Sequence, residues 1–226
     1  MEDPNPVVER IVAALRHAPA NTAGMRAVRK RFSKELAEVD RGAVLTAAQE
    51  LIERAPFARF VAYEIVRFHL ATMQSISEEE VENLGQGMKE WGDVDSFACL
   101  LAGPAWFAER VSDKTVRRWA QSPDRWRRRA ALVSTVPLNS AGWAGAKSVK
   151  RTLAICRLVM SDRDDMVVKA LSWALRAAAK HDPDSVRAFL NDHEKKLAAR
   201  VMREVQNKLT TGLKNPRRLE ALPNVF

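Results

Sequence analysis

Residues 122–136 read SPDRWRRRAALVSTV. Ser122 suits an N-cap, Pro123 the first helical turn and Asp124 the positive end of the helix dipole, so the spacing predicts a helix beginning here. Wound at about 100° per residue, Trp126, Ala130, Val133 and Val136 fall on one apolar arc. Arg129 falls inside that arc, while Arg125, Arg127 and Arg128 point elsewhere. A guanidinium among apolar neighbours is costly unless an anion meets it. That anion is either an internal carboxylate or a phosphate, and the surrounding charge favours the phosphate.

The same pattern of amphipathic segment and short Pro, Gly, Ser or Asp punctuation recurs along the whole chain, with no alternating strand pattern. Helices are predicted at about 6–17, 24–38, 41–54, 56–72, 78–88, 92–101, 104–111, 113–121, 123–136, 146–160, 164–180, 183–193 and 196–209. Ser77 with Glu80 forms a capping box, and Asp182 with Pro183 marks another start. A dozen such helices in succession predict an all-α chain of antiparallel pairs stacked as a solenoid, with no crisp internal repeat. Short loops argue for a single domain over residues 1–211. Residues 212–226 lose periodicity and read as an irregular C-terminal tail.

The 226 residues are 46% hydrophobic and 29% charged, with only nine glycines and a net charge of +9. That charge is unevenly placed. From Arg110 to Arg157 there are twelve lysines and arginines against two acidic residues. A basic stretch of this kind is the footprint of a face that binds a polyanion, nucleic acid above all. The six tryptophans, at 91, 106, 119, 126, 143 and 173, overlap it. Cys99 and Cys156 are isolated and read as buried thiols of a cytosolic protein. No apolar run is long enough for a membrane and no leader is evident, so the expected location is the cytoplasm.

Three stretches could carry chemistry. In EWGDVDSFACLLAG, Val94, Phe97, Ala98 and Leu101 form the buried stripe, with Trp91 and Asp95 four residues apart on its edge. An indole beside a carboxylate there is a plausible reactive pair, although the residues alone favour Asp95 as a cap or as a salt bridge to Arg129 or a neighbouring helix. In DDMVVKALSWALRAAAKHD, Val168, Leu171, Leu175 and Ala179 face the core. Trp173 lies on a second stripe with Lys169, Arg176 and Lys180, a face suited to DNA backbone and base contact unless another helix covers it. Arg117, Arg118, Lys150 and Arg151 read as phosphate contacts or as solvated charge, and Arg128 joins them as a candidate contact. The four histidines have no metal-ligand spacing, and Gly85 and Gly87 do not form a phosphate loop.

Taken in order, Trp91-Gly92-Asp93-Val94-Asp95, Trp126-Arg127-Arg128-Arg129-Ala130-Ala131 and Lys169-Ala170-Leu171-Ser172-Trp173-Ala174-Leu175-Arg176 resemble the AlkD-like DNA alkylation repair proteins. The resemblance runs from about residue 77 to 205. It implies a HEAT-like helical-repeat superhelix whose concave basic face cradles duplex DNA carrying alkylated bases. It also implies a glycosylase of base excision repair that releases N3- or N7-alkylated purines without cofactor, metal or obligate protein partner. By position, Asp95 corresponds to the catalytic carboxylate and Trp91 and Trp173 to the aromatic pair on the lesion's sugar. Arg129 corresponds to the arginine on the nearby backbone. Gly92 departs from the family, where an acidic residue is common, and NSAGWAG at 139–145 looks like an insertion. Replacing Asp95 by Asn is expected to spare thermal stability, since a carboxylate at a groove rim serves the reaction more than the core. The rival from another class is a non-catalytic helical-repeat module for structured DNA or a protein partner, which needs the basic face but not Asp95.

Overall fold

The structure, a computed structural model, describes residues 5–140 and 145–216. Trp143, most of the predicted insertion and the tail from 217 onwards lie outside the described residues. Polar side chains set where most helices begin. Asn5, Asn21, Asp40, Ser77, Ser112, Asp124, Asp164 and Asp182 each accept a hydrogen bond from a backbone N–H two or three residues on. These caps satisfy donors that helix geometry leaves without partners. They open α1 (Pro6–His17), α2 (Thr22–Glu35), α3 (Arg41–Arg54), α6 (Glu78–Leu84), α9 (Asp113–Ala120), α10 (Arg125–Val133), α13 (Asp165–Ala178) and α14 (Pro183–His193). The remaining helices are α4 (Arg59–Phe68), α5 (Leu70–Ser75), α7 (Trp91–Phe97), α8 (Gly103–Phe107), α11 (Thr135–Leu138), α12 (Ala146–Val159) and α15 (Ala199–Thr211). No strand occurs among the described residues.

Among the helix boundaries that differ from the sequence expectation, three have a clear local reason. Asp124, not Ser122, is the cap of α10, its carboxylate accepting from the Trp126 N–H at 2.9 Å. The segment expected as one helix over 56–72 breaks at His69, where the backbone is extended and the imidazole Nδ1 caps α5. The two helices expected over 92–111 instead run together, because a wide π turn at Ala98–Ala102 links α7 to α8.

Packing arranges these helices in two rows. One row, called here the α7 row, contains α4, α7, α10, α13 and α15, each in contact with the next. The other, the α9 row, contains α3, α6, α9 and α12 and packs against the first through the pairs α3–α4, α9–α10 and α12–α13. Within a row the helices are parallel, as polar contacts of nearly constant offset show. Glu78 meets Thr115 and Glu82 meets Trp119, both 37 residues apart. Asp165 meets Arg200 and Ser172 meets Glu204, at 35 and 32. The N-caps Glu90, Asp124, Asp164 and Ala198 follow one another at 34, 40 and 34 residues, and the long step contains 139–145. One core of fully buried aliphatic and aromatic side chains runs the length of both rows, from Val8 to Val205.

α6 is a clasp between its neighbours. On one side Glu80 completes the capping box with Ser77 and takes a 2.6 Å bond from Arg41 of α3. On the other, Glu78 accepts from Thr115 and the Ser112 N–H, and Glu82 accepts from Trp119 Nε1 and Arg118. Burial alone pushes these three carboxyls up, but the hydrogen bonds and arginines outweigh it and hold all three below the usual glutamate range.

Three predictions follow from this packing. Carboxyl pKa values depressed in the folded state stabilise the fold above the unfolded value, and that contribution is lost as pH falls through the folded values. Replacing Glu78, Glu80 and Glu82 by Gln together should therefore lower stability at neutral pH and flatten the acid limb of a pH–denaturation profile. At Gly103 an added Cβ would lie 2.4 Å from Pro137 Cγ and 2.7 Å from the Ser134 carbonyl, so Gly103→Ala should cost about 1–3 kcal/mol in denaturant unfolding. At Gly92, inside α7, the nearest such atom is Glu90 Oε1 at 3.8 Å, and Gly92→Ala should stabilise by up to about 1 kcal/mol.

Candidate active site

α7 opens on Trp91, whose indole is 61% exposed although large apolar side chains are normally covered. One turn later on the same helical face comes Asp95. The stripe expected to bury α7 does so: Val94, Phe97, Ala98 and Leu101 are fully enclosed. That leaves Asp95 half-buried at the margin, directed at the next helix of its row. There Arg129 of α10 meets it with two parallel bonds, Nε to Oδ1 at 2.8 Å and Nη2 to Oδ2 at 2.7 Å. A fork-on-carboxylate pairing fixes both partners in one plane. The third donor, Arg129 Nη1, goes to the Met166 carbonyl in the first turn of α13 at 2.6 Å. The Arg129 side chain is only 7% exposed and that of Asp95 17%.

The sequence left two anions open for Arg129 and favoured a phosphate. In the free protein it is the internal carboxylate that answers the guanidinium. Burial pushes the Asp95 carboxyl above its ordinary value, and the hydrogen bonds and charge of Arg129 work against that rise. Cys99, one turn further on, has its thiol pushed up to about 12 by burial and by the Asp95 charge, which leaves it a packed thiol rather than a nucleophile at neutral pH. Asp93 does not flank Asp95. It sits about 200° round the helix, half-buried, where burial raises its carboxyl and Arg59 opposes the rise.

Trp173 is on α13, two turns or about 10 Å beyond Met166 on the same face. It is not the wet indole that the sequence suggested, for it packs partly against the core. The rest of the ring borders a cavity of about 280 Å³ shared with Arg176, Lys180, Lys208 and Lys214. Arg176 is half-buried, its Nε donating to Ser172 Oγ at 3.2 Å, and Ser172 in turn donates to Glu204 at 2.6 Å. Lys214 reaches the same Glu204 at 3.5 Å. Lys208 and Lys214 were invisible to sequence reasoning as site residues, because only the packing of α15 on α13 brings them to Trp173. Lys169 is exposed and paired with Asp165 at 2.7 Å.

The other basic residues separate from this group. Arg128 is held by Asp162 at 2.6 Å and by the Ser122 and Pro123 carbonyls, bracing the α9–α10 turn. Arg117 and Arg118 are on α9, and Lys150 and Arg151 on α12, so all four belong to the row behind Asp95. Arg118 pairs with Glu82, and Arg151 with Asp113. Arg127 gave no sequence signal and is the structural surprise. Its Nη1 is buried with no hydrogen-bond partner, beneath Gly85 and beside the Trp119 ring, and burial lowers its pKa. Among the described residues no His, Cys, Asp or Glu group could hold a metal ion, and no helix is long and apolar enough to cross a membrane.

The sequence profile of the DNA alkylation repair enzymes matches residues 19–209, which takes in Trp91, Asp95, Arg129 and Trp173. The chain belongs to the DNA alkylation repair enzyme family. Its place is therefore in the repair of alkylated DNA, with DNA as the partner. No curated protein matches the chain. For a DNA alkylation repair enzyme, an exposed indole one turn from a fork-bonded carboxylate is the part of the surface with the clearest chemical potential.

The geometry changes one expectation from the sequence. Asp95 is not a free rim carboxylate but the counter-charge of a nearly buried guanidinium, and removing one partner of such a pair is destabilising. Asp95→Asn keeps one acceptor and should cost about 1–3 kcal/mol in thermal or urea unfolding. Arg129→Lys, which cannot make the two-pronged contact, should cost a similar amount. Unchanged stability in both variants would show the pair to be incidental.

Proposed function

We propose that this protein is a DNA glycosylase that hydrolyses the N-glycosidic bond of N3- or N7-alkylated purines in duplex DNA. The fold is read as a HEAT-like superhelix with the α7 row on its concave, DNA-facing side. The observation that carries the proposal is the carboxylate of Asp95, held in a fixed plane by Arg129 one turn from an exposed tryptophan, in a chain of the alkylation repair family. An alkylated purine bears a formal positive charge and is already a good leaving group, so little acid catalysis is needed. What the reaction lacks is an anion beside the sugar. Asp95 supplies it, stabilising the oxocarbenium-like sugar and taking the proton of the attacking water. The bond to the purine breaks with its electron pair returning to the base, which cancels the base's charge.

In this mechanism Arg129 is a positioning residue that keeps Asp95 ionised despite its burial, and it contacts the neighbouring phosphate when DNA is bound. Trp91 stacks on the lesion nucleotide, where a cationic base adds attraction of about 1–2 kcal/mol. Trp173 contacts the same strand, with Arg176, Lys180, Lys208 and Lys214 receiving its phosphates, while Lys169 lies further down α13. The second reading is a binding module without chemistry, favoured by the fact that Arg129 already occupies both oxygens of Asp95.

Single-turnover release of N7-methylguanine from a duplex oligonucleotide separates the two, measured well below the melting temperature of every variant. Asp95→Asn should lose about 10²–10³-fold in rate with little loss of duplex affinity. Trp91→Ala, which removes an exposed ring and no packing, should slow release at unchanged stability. Equal rates for wild type and Asp95→Asn would take Asp95 out of the mechanism. No release by the wild-type protein would establish the binding module.

A further inference from the structure

We infer that the protein has a second phosphate-binding site in the α9 row, between α9 and α12, that takes the backbone of a DNA segment other than the one on the α7 row. A cavity of about 250 Å³ lies there, lined by Trp106, Asp113, Arg117, Lys150 and Arg151. Its floor is built and internally saturated. Arg151, with a side chain only 15% exposed, forms an ion pair with Asp113 at 3.1 Å, donates Nη1 to the Trp106 carbonyl at 3.3 Å, and lies over the Trp106 ring at 5.3 Å. Asp113 also accepts from Trp106 Nε1 at 2.7 Å. The acidic groups of the site are Asp113 and Glu109, the latter 3.9 Å from Arg151.

The mouth is different. Arg117 and Lys150 are exposed, one from each helix, and no ion pair engages either among the described residues. Lys114, one turn earlier on α9, and Arg110, just before that helix, are exposed as well. By contrast Arg118, Arg125, Arg128, Arg129 and Arg151, from the same basic stretch, all have carboxylate partners. Cations that outnumber the carboxylates around a cavity repel one another, and a polyanion relieves that repulsion while releasing its own counterions. An arginine and a lysine facing each other across a gap suit phosphate oxygens, the arginine by its fork and the lysine as a point charge.

The α9 row stands behind the α7 row, so one duplex cannot serve both. DNA is stiff over about 150 base pairs and does not fold round a body one or two helices thick. The phosphates at Arg117 and Lys150 therefore belong to a second segment, and the protein bridges two duplexes. This rests on DNA as the partner and on the proposed reading of the α7 row as its first face, and not on any excision chemistry.

The test is a capture assay. One short duplex is immobilised, the protein is loaded on it, and retention of a second, fluorescent duplex is measured as a function of salt. Wild type should retain the second duplex. Arg117→Glu with Lys150→Glu should reduce retention about tenfold or more and make its log–log salt slope shallower by about 2. The same variant should release N7-methylguanine from the first duplex at the wild-type rate. Arg187→Glu with Lys195→Glu, an equal charge change on α14 and the turn after it, should leave retention intact.

Four outcomes overturn the inference: no retention by wild type, retention unaffected by the α9–α12 variant, equal loss in both variants, or excision falling in step with retention. The last would assign Arg117 and Lys150 to the same duplex as Asp95. Retention needs no chemistry, so a protein that captures but never excises would refute the glycosylase reading while upholding this one.

Discussion

One guanidinium ties three successive units of this fold together. Arg129 bonds both oxygens of Asp95 on the helix before it and the Met166 carbonyl on the helix after it. Its three anchoring contacts are what let a charged group stand in the apolar arc of α10 at all, because a buried ion is tolerable only when its donors are met. The spacing of α7, α10 and α13 is thus set partly by a polar device and not only by aliphatic packing. The carboxylate proposed to act on the sugar is thus also a strut, and its two bonds to Arg129 fix its plane.

The same principle governs charge elsewhere in the chain. Arginines of one unit repeatedly find their acids a unit away: Arg29 with Glu64, Arg41 with Glu80, Arg118 with Glu82, Arg128 with Asp162. A count of basic residues along the sequence therefore overstates the charge that faces solvent. Among the described residues, the cations that no carboxylate engages include Lys180 and Lys208 near Trp173 on one row, and Arg117 and Lys150 on the other.

Much of this was legible beforehand, for reasons that can be named. Short-range chemistry writes itself into sequence, so the capping box of Ser77 and the limits of α1, α3 and α14 are read directly. The buried stripe of α7 was equally plain. Burial of α13 was underestimated, since Val167, Ala170, Ser172, Ala174 and Ala178 are enclosed along with the predicted stripe. A helix flanked by α10, α12 and α15 has hardly any wet side, and periodicity within one helix cannot say how many neighbours it has. For the same reason the cover over Trp173 was left open, the carboxylate bound to Arg129 stayed ambiguous, and Lys208 and Lys214 went unnoticed. The near-regular spacing of these helix starts was hidden because the cap positions are filled by Glu, Asp, Asp and Ala rather than by one signature residue.

The π turn at Ala98–Ala102 acts as a gear change inside a single rod. Continued as a regular α-helix, positions 95 and 106 would differ by about 20° and share one face. A turn holding one extra residue swings everything after it by about 100°. Asp95 can thereby address Arg129 along its own row, while Trp106 turns away to lie beneath Arg151 and bond Asp113. Deleting any one residue of the five would restore the regular winding and set the two ends competing for a single direction. The chain keeps its extra residue at the point where one helix has to serve two surfaces.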